Sequence, residues 1–107
     1  MAELGSFALV ADADVKAGGK TSIPSLFPIS ERSKEYQLLD DIREGTKLQV
    51  SIAKVQPFES TADATAKKGD KLTSWRLIRY ADFVREIVAS DNIKAGDRLL
   101  VSYKTAG

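Results

Sequence analysis

The residues whose types and spacing could do chemistry lie in the second half of the chain. Phe58, Trp75 and Tyr80 are interleaved there with Lys54, Lys67, Lys68, Lys71, Arg76 and Arg79. Aromatic faces stack on bases and cations follow a phosphate backbone, so this mixture suits sequence-tolerant binding of a single strand. The same aromatics also read as core, because an aromatic ring in a strand is buried more often than displayed. For Trp75, the one tryptophan, both readings stay open.

Other chemistries are poorly served. The chain has no His and no Cys, which removes Ser-His-Asp and Cys-His nucleophiles, disulfides and ordinary zinc sites. The adjacent carboxylates Asp40-Asp41 sit among charged residues and read as a solvated face. Gly19-Lys20-Thr21 matches the end of a P-loop, but position 14 is Asp14 where the signature needs a glycine. The following Ile23-Pro24 opposes the helix that would hold the phosphate. The chain is therefore expected to be no enzyme, with no cofactor, metal or small-molecule substrate.

A chain of 107 residues suits one domain spanning 1–107, and 43% apolar with 29% charged residues is a globular composition. Apolar runs are short and the N-terminus lacks a basic-then-apolar leader, so a cytoplasmic protein without a membrane partner is expected. Net charge is only +1, but its distribution is uneven. Lys54 to Arg85 carries seven basic residues against four acidic, whereas Glu31 to Glu44 carries five acidic against three basic. A local field of this kind steers a polyanion more than net charge does.

The elements that must position these residues follow from periodicity. Residues 6–15 read as a strand, 16–22 as a glycine loop, and the Pro-flanked stretch Ile23–Ile29 as an extended arm. Ser33 to Arg43 predicts a short helix, with Ser33 as cap and Gly45 as stop. Leu48, Val50 and Ile52 alternate with polar residues in a half-buried strand. Glu59–Lys71 predicts a polar loop, Leu72–Tyr80 a strand and Asp82–Ala89 a short amphipathic helix. A last strand, Arg98–Lys104, puts Leu99, Val101 and Tyr103 on one face. Strand alternation separates Trp75 and Arg79 from Arg76 and Tyr80, so a bulge intervenes or one aromatic is buried. No internal repeat is evident.

Strand, basic loop, Trp-bearing strand, helix, Gly-Asp turn and strand is the order of a mainly β, OB-type five-stranded barrel. Thr73-Ser-Trp-Arg-Leu-Ile-Arg-Tyr-Ala-Asp-Phe-Val-Arg-Glu86, then Ile93-Lys-Ala-Gly-Asp-Arg-Leu-Leu-Val101, resembles the bacterial single-stranded DNA-binding protein family. The likeness covers the 57 residues from Lys47 to Tyr103. It implies single-stranded DNA binding in replication, recombination or a mobile element, by a homo-oligomer. It places Phe58, Trp75 and Tyr80 as base platforms and Lys54, Lys67, Lys68, Lys71, Arg76 and Arg79 as phosphate cations. The barrel's last strand would come from Phe7–Val10 or a neighbouring subunit. The alternative is a structural or assembly module of a virion or multi-subunit complex, using the N-terminal arm for protein contacts.

Overall fold

The computed structural model describes residues 2–106. Eight strands and three single-turn helices follow in order. They are β1 (Glu3–Val10), β2 (Lys20–Ser22), α1 (Ile23–Leu26), α2 (Ile29–Arg32), β3 (Glu35–Gln37), β4 (Lys47–Ile52), β5 (Phe58–Thr61), β6 (Lys71–Thr73), α3 (Tyr80–Phe83), β7 (Glu86–Val88) and β8 (Arg98–Thr105). The protein is mainly β, but no barrel closes. An antiparallel sheet of order β1-β8-β4-β5 stays open, and two ribbons, β2-β7 and β3-β6, fold against it. β1 does pair along β8, with Phe7 opposite Val101.

Alternation holds where it is strongest. Leu48, Val50 and Ile52 on β4, and Leu99, Val101 and Tyr103 on β8, all face the core. Elsewhere tertiary pairing overrides the local pattern. Ser33–Arg43 is not a helix: Glu35–Gln37 pairs with Lys71–Thr73, which buries Tyr36. Tyr36 and Leu38 fit a two-residue period as well as a helical one, and the available strand edge decides. The expected extended arm is also absent. Ser22 caps α1 by accepting the Ser25 N–H (3.4 Å), and Ile23, Leu26 and Phe27 become fully buried core.

Leu72–Tyr80 is not one strand. After Thr73 the amide and hydroxyl of Ser74 both donate to Lys34 O (2.8 Å each), which turns the chain and sends Trp75 inward. Glu59–Lys71 is only partly loop, since β5 and the buried Ala62 and Ala66 lie within it. The predicted helix at Asp82–Ala89 ends at Phe83, because Ile87 pairs with Thr21 as part of a ribbon.

The pairing exposes an internal repeat that is not evident in the sequence. β1·β8 leads through one pair of glycine turns to β2·β7, and β4·β5 leads through another pair to β3·β6. Shifting the chain by 51 residues superposes the first scheme on the second without a gap. Over residues 3–53 against 54–104, fifteen positions are identical. They are Phe7/Phe58, Ala11/Ala62, Asp12/Asp63, Ala13/Ala64, Lys16/Lys67, Gly18/Gly69, Lys20/Lys71, Leu26/Leu77, Glu35/Glu86, Asp40/Asp91, Ile42/Ile93, Gly45/Gly96, Leu48/Leu99, Val50/Val101 and Ser51/Ser102.

Hydrogen bonds repeat with the same shift. Asp12 N–H donates to Leu26 O (2.8 Å) as Asp63 N–H does to Leu77 O (2.7 Å), and Gly45 N–H to Ala62 O (2.9 Å) as Gly96 N–H to Ala11 O (2.8 Å). β4 and β8, the equivalent strands, pair antiparallel with Ser51 opposite its own counterpart Ser102. That register is an approximate twofold relation between the two halves, in which each half completes the other's core.

Candidate functional site

The two helical connections, residues 23–34 and 74–85, meet on one side of the core and leave an open groove of about 420 Å3. The first half supplies Ile29, Arg32 and Ser33; the second supplies Asp63, Thr73, Trp75, Arg76, Ile78, Tyr80 and Phe83. Arg32 and Phe83 are equivalents under the 51-residue shift, and the Arg32 guanidinium lies 5.7 Å from the Phe83 ring centroid. The groove therefore straddles the approximate twofold. Ile29 and Tyr80 are equivalents as well, each opening its helix, and they are 70% and 74% exposed.

An aromatic chain runs from the groove into the core. Tyr80 lies 6.2 Å from Phe83, Phe83 6.4 Å from Trp75, and Trp75 6.0 Å from Tyr103 (ring centroids). Such contacts add to area burial and fix ring orientations. Tyr103 is anchored by donating its hydroxyl to Ser74 O (2.6 Å). The indole Nε1 of Trp75 and the hydroxyl of Tyr36 are buried without a hydrogen-bond partner among the described residues.

The residues expected to bind nucleic acid do not form one surface. Trp75, Arg76 and Tyr80 line the groove, but Trp75 is only 7% exposed and offers no free face. Arg79 precedes Tyr80 and pairs with Asp82 (3.2 Å). Phe58 is half-buried on β5 and is covered by the Arg85 guanidinium at 5.4 Å. Lys54 sits in the β4–β5 turn with φ 65° and pairs with Asp97 (3.1 Å). Lys71 opens β6, Lys67 and Lys68 belong to the glycine turn before it, and none of the three lines the groove. In that turn Asp70 accepts the Lys67 N–H (3.0 Å) and Asp41 the Lys68 N–H (2.8 Å).

Two carboxylates near these elements are committed locally. Val10 N–H and then Lys34 hold the Glu31 carboxyl below its ordinary range, and the Lys94 N–H and Lys54 do the same for Asp97. A second hollow, lined by Asp14, Val15, Lys16, Asn92, Ile93 and Lys94, lies between two glycine turns. Two of its polar side chains serve those turns. Asp14 accepts the Ala95 N–H (2.8 Å) and Asn92 the Ala17 N–H (2.9 Å). In the other half Thr65 accepts the Glu44 N–H (3.0 Å) and Asp41 the Lys68 N–H. Gly19-Lys20-Thr21 thus ends such a turn and enters β2. Among the described residues no cluster of metal-ligating side chains is present, and no helix is long and apolar enough to cross a membrane.

No family model, curated protein or solved structure matches the chain. The molecule's own two halves are then the comparison that bears on the site. Ile29, Arg32, Ser33, Asp63, Thr73, Ile78 and Phe83 were not among the expected site residues. The signal that could have found Ile29 is its place 51 residues before Tyr80.

Proposed function

We propose that this chain is a non-enzymatic interaction module that holds a segment of another protein in the groove between its halves, as one component of a larger assembly. One observation carries the reading: Ile29 and Tyr80, both large and both over two-thirds exposed, stand at equivalent positions on one groove. A lone exposed apolar side chain is ordinary, but a paired set on a concave surface marks a contact site. The chain's lack of His and Cys supports the non-enzymatic part. Burial of Ile23, Leu26 and Phe27 leaves no N-terminal arm for such a contact, which favours the groove.

A photo-crosslinking amino acid at position 80, compared with one at Leu100 on the outer face of β8, tests the reading in producing cells. Protein adducts specific to position 80 are the expected result. Adducts equal at both positions, or none at 80, would refute it.

Single-stranded nucleic acid is the second reading, favoured by the convergence of Arg76 and the exposed Tyr80 and by the family resemblance of Lys47–Tyr103. Under it a Tyr80→Ala change abolishes an oligo-dT mobility shift at low salt.

A further inference from the structure

We infer that the groove recognises an acidic segment of its protein partner, seating a carboxylate beside one large apolar side chain; this rests on the interaction reading above. The two halves differ most at the groove. Between residues 21–34 and 72–85 only Leu26/Leu77 is identical, whereas the other 37 aligned positions hold fourteen identities. Burial is nonetheless matched there, since Leu26 and Leu77, and Phe27 and Ile78, are all buried. The fold thus holds both versions of the segment, and the differences fall on groove positions: Pro24/Trp75, Ser25/Arg76 and Arg32/Phe83.

Those differences put two guanidinium groups on the groove, beside the single carboxylate of Asp63. Arg32 is held on two sides, its Nε donating to Phe27 O (2.9 Å) and its guanidinium over Phe83. Its Nη groups make no other hydrogen bond and no ion pair among the described residues, and exposed Arg76 makes neither. A positioned guanidinium with free donors is the group that reads a carboxylate through two parallel bonds.

A polyanion fits less well. Asp63 lines the same groove, and Asp82 is shared by Arg79 (3.2 Å) and Arg85 (3.7 Å), which removes cations a phosphate backbone would follow. What remains is two forks beside Ile29 and Tyr80. That suits one or two carboxylates next to an apolar anchor, and interfaces of this kind gain most from a central anchor with charge complementarity around it.

The test selects a random displayed peptide library against the immobilised full chain, then measures affinities for wild type, Arg76→Glu, Arg32→Lys and Tyr80→Ser. Far-UV circular dichroism confirms that each variant is folded, and Arg76 and Tyr80 are exposed enough to change without touching the core. Enriched peptides should place Asp or Glu beside an aromatic or branched side chain. Arg76→Glu should weaken them about tenfold or more, equivalent to at least ~1.4 kcal/mol. Arg32→Lys, which keeps the charge and loses the fork, should weaken them too.

Peptides that need Tyr80 but lack acidic residues and ignore Arg76→Glu would overturn this inference and leave the interaction reading standing. If no peptide depends on Tyr80, the interaction reading itself falls. Competition by oligo-dT for the same site, or self-association abolished by Tyr80→Ser, would replace the acidic segment with a nucleic acid or a second copy, and overturn it.

Discussion

Trp75 and Tyr80 lie five residues apart and have opposite fates, 7% against 74% exposed, because the chain turns at Ser74 and starts a helix at Tyr80. Trp75 packs on Phe7, Phe27, Phe83 and Tyr103, so Trp75→Ala should cost about 3–5 kcal/mol of stability, read from the urea midpoint. A surface platform would lose far less. Tyr36 sets a second residue-scale expectation. Burial raises the pKa of Tyr36, and burial with the neighbouring Tyr36 charge raises that of Tyr103. Both fold as neutral phenols, so their stabilising contribution is complete below the ordinary value of 10.0 and is lost as pH rises above it. Tyr36→Phe should flatten that alkaline loss. It should also raise neutral-pH stability by about 1 kcal/mol, because the buried hydroxyl has no partner to lose. Denaturation curves on either side of the phenol range check both claims.

At the scale of elements, four equivalent turns end in or before strands, each with a glycine at positive φ: Gly18 (82°), Gly45 (91°), Gly69 (93°) and Gly96 (97°). A side chain in that region costs backbone strain, so Gly96→Ala should lower stability by about 1–2 kcal/mol and Gly96→Asn by less, measured by thermal unfolding. The absence of any atom within 4 Å of an added Cβ there makes the cost conformational and not steric. Gly45 shows how the sequence misled: it reads as a helix stop after Arg43, but it is the turn that feeds β4. Short elements explain the errors. β2, β3, β6 and β7 have three residues each, too few for alternation to outvote a helical spacing. β4 and β8, with six and eight residues, were legible because their period of two is sustained.

The whole molecule is two 51-residue halves whose strands complete each other. Ala2 and Thr105 are hydrogen-bonded (Thr105 N–H to Ala2 O, 2.9 Å), and the β4–β5 turn at Ala53–Lys54 is the counterpart of that junction. A circular permutant that opens Ala53–Lys54 and joins residue 105 to residue 2 through a short flexible linker should fold with the parent's far-UV spectrum and unfold cooperatively. A molten or aggregated permutant would show that the halves are not interchangeable in order.

Residue types and spacing by themselves determined a β-rich chain, the inward faces of β4 and β8, and the removal of His- and Cys-dependent chemistry. They also contained the repeat, but fifteen identities scattered over 51 positions are faint without a pairing scheme to align them. Only tertiary structure decided that Ile23, Leu26 and Phe27 are core, that Trp75 is buried, and that Ile29 and Arg32 share one groove with Tyr80 and Arg76. The physical reason is common to all three. Each depends on contacts between the two halves, and no local propensity encodes which distant segment a short strand or a single helical turn will meet.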